Sequence, residues 1–251
     1  MKKGKKILLI GARGNLGSSI ISSKLFKNLD TPKKKKLNLL NKSSIKNYLK
    51  KGYHLIINCA AMGRMRECEK NPIKALKVNV FGTLNLVEEI INYEIRSKKK
   101  VKLIHISTDG VYPSTKGNYN EKDKLKPYNV YGWTKLCSES IVKMLDKYII
   151  IRTRFFDKKN IRFNTAATDI FTSMLEKNDL VREIKNISLT NFIGIINIGK
   201  KRKSDFENYK KYKTNIRSCK RKDIIKNLGF KIAKDASMNL SLFKKIKNRP
   251  C

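Results

Sequence analysis

Lys5-Lys6-Ile7-Leu8-Leu9-Ile10-Gly11-Ala12-Arg13-Gly14-Asn15-Leu16-Gly17 is the stretch that decides the fold. A polar start runs into four apolar residues, as expected of a strand buried on both faces of a parallel sheet. Glycines follow at 11, 14 and 17, and Ser18 to Leu25 has a composition that suits a helix. A glycine turn between strand and helix lets a backbone come close to a pyrophosphate. The helix N-terminus then offers free N–H groups and its dipole to the anion. The spacing is G-x-x-G-x-x-G, where the common dinucleotide fingerprint has G-x-G-x-x-G. An ordinary glycine-rich loop is the alternative, and the strand before and helix after argue against it.

Outward from this turn, the same alternation of strand and helix continues. An acid about 20 residues after the turn often meets the adenosine ribose. Here Asp30 precedes Thr31-Pro32 and the run Lys33 to Lys36, and no acid clearly ends a second strand. Arg13 and the lysine run could instead meet a 2′-phosphate, which favours NADP slightly over NAD. Ser43 to Lys51 reads as a short helix, and His54 to Cys59 as a buried strand ending in Ala60-Ala61-Met62. Small residues there let a flat ligand lie close. Residues 72–93 fit a long helix with Pro72 in its first turn and Leu76, Val80, Leu84 and Val87 as its apolar face. Asn79 lies one position off that face. Val101 to Ile106 is a further strand and delivers Ser107-Thr108-Asp109-Gly110 at its carboxyl end.

After a polar loop comes Tyr131-Gly132-Trp133-Thr134-Lys135. On a helix, Tyr131 and Lys135 share one face, one turn apart. A phenol with a pKa of about 10 exchanges protons poorly near neutrality. A cation one turn away is expected to lower it and make the pair a usable acid/base. Tyr-x-x-x-Lys alone is a common pattern. Its weight comes from the glycine turn, Ala60-Ala61-Met62 and Ser107-Thr108-Asp109, each following a strand. Ligands of open α/β sheets bind at the carboxyl ends of strands. Trp133, Cys137, Ile141 and Leu145 read as the core face of the Tyr131 helix, and Tyr148 to Thr153 as the next strand.

The chain has 251 residues, enough for one large domain or a domain with an appendage. No apolar run is long enough to span a membrane, and the four apolar residues before Gly11 are too few for a signal-peptide core. A cytoplasmic protein is expected. Five cysteines without CxxC spacing, with two histidines, indicate neither a disulfide framework nor a metal site. The formal net charge is +38, from 58 Lys and Arg against 20 Asp and Glu. Such a charge attracts polyanions. The basic runs are scattered from Lys2–Lys6 to Lys244–Lys247 without interleaved aromatics. A lysine-rich solvated surface accounts for them, and no specific nucleic-acid partner is expected.

These motifs together resemble the extended short-chain dehydrogenase/reductases, and more closely the dTDP-4-dehydrorhamnose reductase family. The resemblance rests on residues 11–17, Ile57 to Ala61 with Glu69, Lys77-Val78-Asn79-Val80, residues 107–112, residues 131–135 and Ile151-Arg152-Thr153. It is strong to about residue 156 and loose beyond. It implies a Rossmann-like, doubly wound parallel α/β sheet with a small C-terminal substrate-binding region. Residues 1–156 would bind NAD(P), and 157–251 would form an abbreviated substrate-binding region packed partly back on the sheet. The implied activity is hydride transfer between a nicotinamide and a sugar C4 carbonyl. Tyr131 would protonate the carbonyl oxygen. Lys135 would tune Tyr131 and bind the nicotinamide ribose, and Thr108 would bond the same oxygen. Asn79 would hold backbone or water near Lys135. Gly11, Arg13, Gly14, Asn15, Leu16, Gly17, Ala60, Ala61 and Met62 would line the cofactor. Asp109 and Phe155 match positions facing the sugar nucleotide, and Arg154 is a phosphate candidate on charge alone. Sugar-nucleotide dehydratases carry an Asp-Glu pair after the Thr. Here Gly110 follows Asp109, which favours a reductase or epimerase. A 4-epimerase and a cofactor-binding regulatory subunit, like that of methionine adenosyltransferase, remain alternatives, and the family admits a homodimer.

Overall fold

The computed structural model describes residues 5–248; Cys251 and the start of the run Lys2–Lys6 lie outside them. A six-stranded sheet forms the centre. Its strands are β1 (Lys6–Ile10), β2 (Leu29–Asp30), β3 (Tyr53–Asn58), β4 (Lys102–Ile106), β5 (Tyr148–Arg152) and β6 (Gly194–Asn197). In space they run β2-β1-β3-β4-β5-β6, and every neighbouring pair is parallel. The chain leaves β1 for β2 on one side and returns to β3 on the other. The carboxyl ends of β1 and β3 therefore part at a switch point, where open α/β sheets take their ligands.

Both faces of the sheet are covered, which is why the strands read as unbroken apolar runs. On one face Leu9, Ile57, Ile104 and Ile151 pack with Leu16 and Ile20 of the helix Asn15–Ser22 and Leu180 and Ile184 of the helix Lys177–Ser188. On the other, Leu8, Ile56, Leu103 and Ile150 pack with Ile45, Leu86, Ile90 and Val142. Alternate residues of each strand thus feed two separate cores.

Three sequence expectations are corrected here. First, an acid does end a second strand: Leu29 and Asp30 pair with Ile7 and Leu8. The strand has two residues and no apolar run, so nothing in its pattern announces it. The Asp30 carboxylate accepts a short hydrogen bond from the Tyr53 hydroxyl, and Lys51 Nζ lies 3.4 Å away. Second, the helix over 72–97 contains a π-helical turn, Lys77–Phe81. A π turn inserts a residue into the 3.6 rhythm. The buried face is therefore Ala75, Asn79, Thr83, Leu86 and Ile90, while Leu76 and Leu84 are 39% and 38% exposed. Third, the helix Val130–Val142 leaves Trp133 51% exposed and Cys137 exposed, and buries Thr134, Lys135, Ser138 and Glu139. Its inward face is polar because these groups satisfy one another and the strand ends they meet.

The C-terminal residues do two things. Gly194–Asn197 joins the central sheet beside β5, and Ile246 of the helix Ser241–Lys247 enters the first core. The rest forms two-stranded pairs: Phe155–Phe156 with Leu175–Glu176, Thr165–Ala167 with Arg217–Cys219, and Phe171–Thr172 with Lys203–Ser204. No helix among the described residues is long and apolar enough to cross a membrane. The described cysteines Cys59, Cys68, Cys137 and Cys219 are free thiols.

Candidate active site

The glycine turn sits at the switch point. Gly11 has φ +82°, a left-handed conformation suited to glycine, and a Cβ on it would lie 2.6 Å from Ala60 N. The turn can therefore press against the end of β3. A Cβ on Gly17 would collide with Gly11 O, so that glycine seats the helix on the turn. Gly14 is the N-cap of the helix Asn15–Ser22 and supplies no side-chain cap. The first intrahelical bond is Ser18 N to Gly14 O (2.9 Å), which leaves the N–H groups of Asn15, Leu16 and Gly17 for an anion. Arg13, Gly14 and Asn15 are exposed at its mouth.

Beyond β3, Asn58 Oδ1 accepts from Ala60 N (3.1 Å) and shapes the Ala60-Ala61-Met62 turn. Asn79 holds the same turn from outside. Its Oδ1 accepts from Met62 N (2.7 Å), and its Nδ2 donates to Met62 O (3.2 Å) and Thr134 Oγ1 (2.9 Å). The expected helix-interior asparagine thus ties the Ala60-Ala61-Met62 turn to the Tyr131 helix, one residue from Lys135.

Two side chains hold the N-terminus of the Tyr131 helix. Asn129 Oδ1 accepts from Gly132 N (2.7 Å) and Glu69 Oε1 from Val130 N (2.8 Å). A Cβ on Gly132 would collide with Gly110 O, so this glycine lets the helix lie directly on the turn that follows β4. That contact brings Tyr131 to Thr108. Thr108 Oγ1 accepts from Gly110 N (3.1 Å) and lies 3.2 Å from Asp109 Oδ1. Asp109 N reaches Thr153 O (3.3 Å), which places Asp109 beside Arg154, with Asp109 Oδ2 2.8 Å from Arg154 Nε. Phe155 follows, half-buried.

Electrostatics depart from expectation at two points. Burial pushes the Tyr131 phenol well above its ordinary value; Cys68 and Asp109 act the same way, and Arg154 and the hydrogen bond with Thr108 oppose them. Lys135 is not among the leading groups acting on it. Lys135 is 1% exposed, and its Nζ lies 2.8 Å from His105 Nε2. Burial lowers the Lys135 amine to about 8, and Glu139 and Cys59 pull against that. His105 is held well below its ordinary value by burial and by Lys135, so it stays neutral. The expectation for Arg154 is also corrected. Its guanidinium faces Asp109, with Tyr128 and Asp205 close enough to act on it. The charge that suggested a phosphate is already compensated by carboxylates.

Sequence reasoning missed several residues here. His105 lies inside what reads as an apolar strand. The buried Arg152 pairs with Glu139 (Nη2–Oε2 2.8 Å) and donates to Tyr112 Oη (2.9 Å), and Ser107 Oγ donates to Glu139. This brace joins β4, β5 and the Tyr131 helix behind the site. Tyr128, Asp205 and Tyr209 come from loops and from the C-terminal region and carry no local pattern. A cavity of about 400 Å³ lined by Asp169, Lys220, Arg221, Lys222 and Lys234 includes none of the residues singled out above.

The RmlD substrate binding domain family matches residues 5–185. The chain belongs to this family. The RmlD family is of the extended short-chain dehydrogenase/reductase type, and the parallel sheet agrees with it. Among curated proteins, the chain is 31% identical over 148 residues to methionine adenosyltransferase 2 subunit beta of Mus musculus, covering 55% of this chain and 42% of that protein. It is 26% identical over 191 residues to the spore coat polysaccharide biosynthesis protein SpsK of Bacillus subtilis, covering 73% and 62%. The chain thus spans less than two thirds of either relative. Among solved structures, dTDP-4-dehydrorhamnose reductase from Bacillus anthracis in complex with NADP superposes with a TM-score of 0.85 at 23% identity, covering 97% of this chain and 93% of that one. A hypothetical dTDP-4-dehydrorhamnose reductase from Sulfolobus tokodaii gives 0.79 at 25%, covering 96% and 94%.

Proposed function

We propose that this RmlD-family chain reduces a 4-keto sugar nucleotide with a nicotinamide cofactor, with Arg13 favouring NADPH and Asp30, at the end of β2, opposing it. The observation that carries the reading is the meeting of Tyr131, Thr108 and the Asp109–Arg154 pair at the sheet edge that also holds the glycine turn. The turn fits a dinucleotide: its glycines clear space that a Cβ would fill, and its helix N-terminus is uncapped.

The nicotinamide supplies the hydride when bound. The chain's own residues do the rest. The N–H groups of Asn15, Leu16 and Gly17 bind the pyrophosphate. Arg13 meets the 2′-phosphate at the rim. Ala60, Ala61 and Met62, fixed by Asn58 and Asn79, wall the cofactor's flat groups. Tyr131 donates its phenolic proton to the carbonyl oxygen, and Thr108 bonds the same oxygen. In the free protein burial keeps the Tyr131 phenol protonated but makes it a weaker acid, so efficient donation needs its pKa brought down toward the working pH. Lys135 holds the nicotinamide ribose hydroxyls, and His105 positions its amine. Asp109 and Phe155 face the sugar. In this reading residues 1–156 bind the cofactor and 157–251 complete the substrate pocket.

The test is oxidation of NADPH and NADH with a dTDP-4-dehydro-6-deoxyhexose, wild type beside Tyr131→Phe. Consumption by wild type alone, with both proteins binding cofactor, is the expected result. The likeness to methionine adenosyltransferase 2 subunit beta supports a second reading, a non-catalytic cofactor-binding subunit. Cofactor binding without consumption by wild type would favour it.

A further inference from the structure

Asp205 opens the helix Asp205–Lys210, and its backbone N donates to Ile170 O (2.9 Å). Its carboxylate Oδ1 is buried and, among the described residues, has no hydrogen-bond partner. Buried carboxylate oxygens without a donor are uncommon and costly, so each asks for an explanation. Capping does not provide one. Ser204 and Glu207 already close the helix start, with Glu207 N donating to Ser204 Oγ (3.1 Å) and Ser204 N to Glu207 Oε2 (2.7 Å). Arg154 acts on Asp205 through space but gives Oδ1 no hydrogen bond, and Asp109 already lies against that guanidinium at 2.8 Å. Among the described residues three other buried oxygens also lack a hydrogen-bond partner: Asp109 Oδ2, which has the Arg154 guanidinium at 2.8 Å, Thr153 Oγ1, and Glu176 Oε1, whose second carboxylate oxygen caps Asn178 N.

The surroundings point to a ligand. Asp205 shares the field of Arg154 and Asp109, and Tyr209 feels both Asp205 and Arg154. Tyr128 Oη lies 3.4 Å from Arg154 Nη2, and Tyr131 lies within reach of Asp109 and Arg154. Asp205, from the C-terminal region, is thus close enough to Arg154 and Asp109 to act on them, and Asp109 and Arg154 act in turn on Tyr131. The free oxygen of Asp205 can only accept a hydrogen bond. A sugar ring carries hydroxyl donors beside the reacting carbon, whereas a phosphate carries acceptors and would be repelled.

We propose that Asp205 accepts a hydrogen bond from a ring hydroxyl of the sugar and so selects the sugar over the nucleotide that carries it. The proposal rests on the sugar-nucleotide reading above. The experiment is calorimetric binding of dTDP-glucose and of dTDP to wild type, Asp205→Ala and Asp205→Asn, with melting temperature and NADPH binding as folding controls. Loss of a hydrogen bond to a charged group predicts about tenfold to hundredfold weaker dTDP-glucose binding by Asp205→Ala, with dTDP unchanged. Asp205→Asn keeps an acceptor and is expected to recover part of the loss. If Asp205→Ala does not fold, the Asn variant alone must weaken dTDP-glucose severalfold and spare dTDP. Equal effects on both ligands, no effect, or a wild type that holds dTDP-glucose no better than dTDP would overturn the proposal. Turnover is measured separately. Sugar-selective binding without NADPH oxidation leaves Asp205 in place and removes the reductase reading.

Discussion

Lys135 Nζ lies 2.8 Å from His105 Nε2, and both side chains are shut away from solvent. Lys135 is expected to cost stability in the free protein. Burial lowers its pKa from 10.5 to about 8. Below about 8 the folded protein carries the desolvated charge and the cost is fully present. Between about 8 and 10.5 the unfolded chain holds a proton that the folded chain has released, so stability rises with pH. Lys135→Met is therefore expected to be more stable than wild type at neutral pH, by about 2–4 kcal/mol. The advantage should shrink toward pH 10. Urea denaturation at the two pH values checks this, and a gap independent of pH would contradict it.

The buried pair Arg152–Glu139 gives the opposite sign. Glu139→Gln leaves the Arg152 guanidinium buried and uncompensated, and turns one of the two oxygens that Arg152 and Ser107 donate to into an NH2 donor. The expected loss is about 3–5 kcal/mol. Replacing both with Met and Leu is expected to cost less than the sum of the single changes, since neither charge is then left alone. Equilibrium unfolding of the four proteins gives the coupling directly.

Gly132 and Gly63 form a matched pair. A Cβ at 132 would meet Gly110 O, whereas a Cβ at 63 meets nothing within 4 Å. Gly132→Ala is expected to cost about 1–3 kcal/mol by forcing the Tyr131 helix outward. It should also reduce turnover more than it reduces NADPH affinity, because Tyr131 moves and the glycine turn does not. Gly63→Ala should leave both unchanged. Thermal melts and NADPH titrations of the two variants decide it.

Asp30 and Arg13 test the proposed cofactor preference. Asp30 ends β2, where an acid meets a ribose 2′-hydroxyl and repels a 2′-phosphate. Tyr53 and Lys51 partly offset its charge. Asp30→Ser is expected to improve NADPH binding relative to NADH by about tenfold, and Arg13→Ser to shift the ratio the other way. Dissociation constants for both cofactors measured by fluorescence would show it. An unchanged ratio in both variants would place the discriminating groups elsewhere.

Much of this architecture is local and was therefore legible. The apolar run Ile7–Ile10, the glycines at 11, 14 and 17 and the strand ends at Ala60 and Thr108 each carry their meaning in a few consecutive residues. Apolar periodicity failed on the helices beside the site. At Lys77–Phe81 a π turn shifts the rhythm, and at Thr134–Glu139 the buried face is polar. Hydrophobicity marks an inward face only where the core is oil; here it is His105, Arg152 and Ser107.

By itself the sequence determined the parallel sheet, the glycine turn and the Tyr131–Lys135 helix, because strand burial, glycine geometry and a four-residue spacing are short-range constraints. Only the tertiary structure decided that Lys135 meets His105, that Asp109 meets Arg154, and that Asp205, 96 residues further along the chain than Asp109, comes close enough to act on that pair. Those contacts depend on how the sheet and the C-terminal region close on one another, and no local pattern records a distance between residues that far apart.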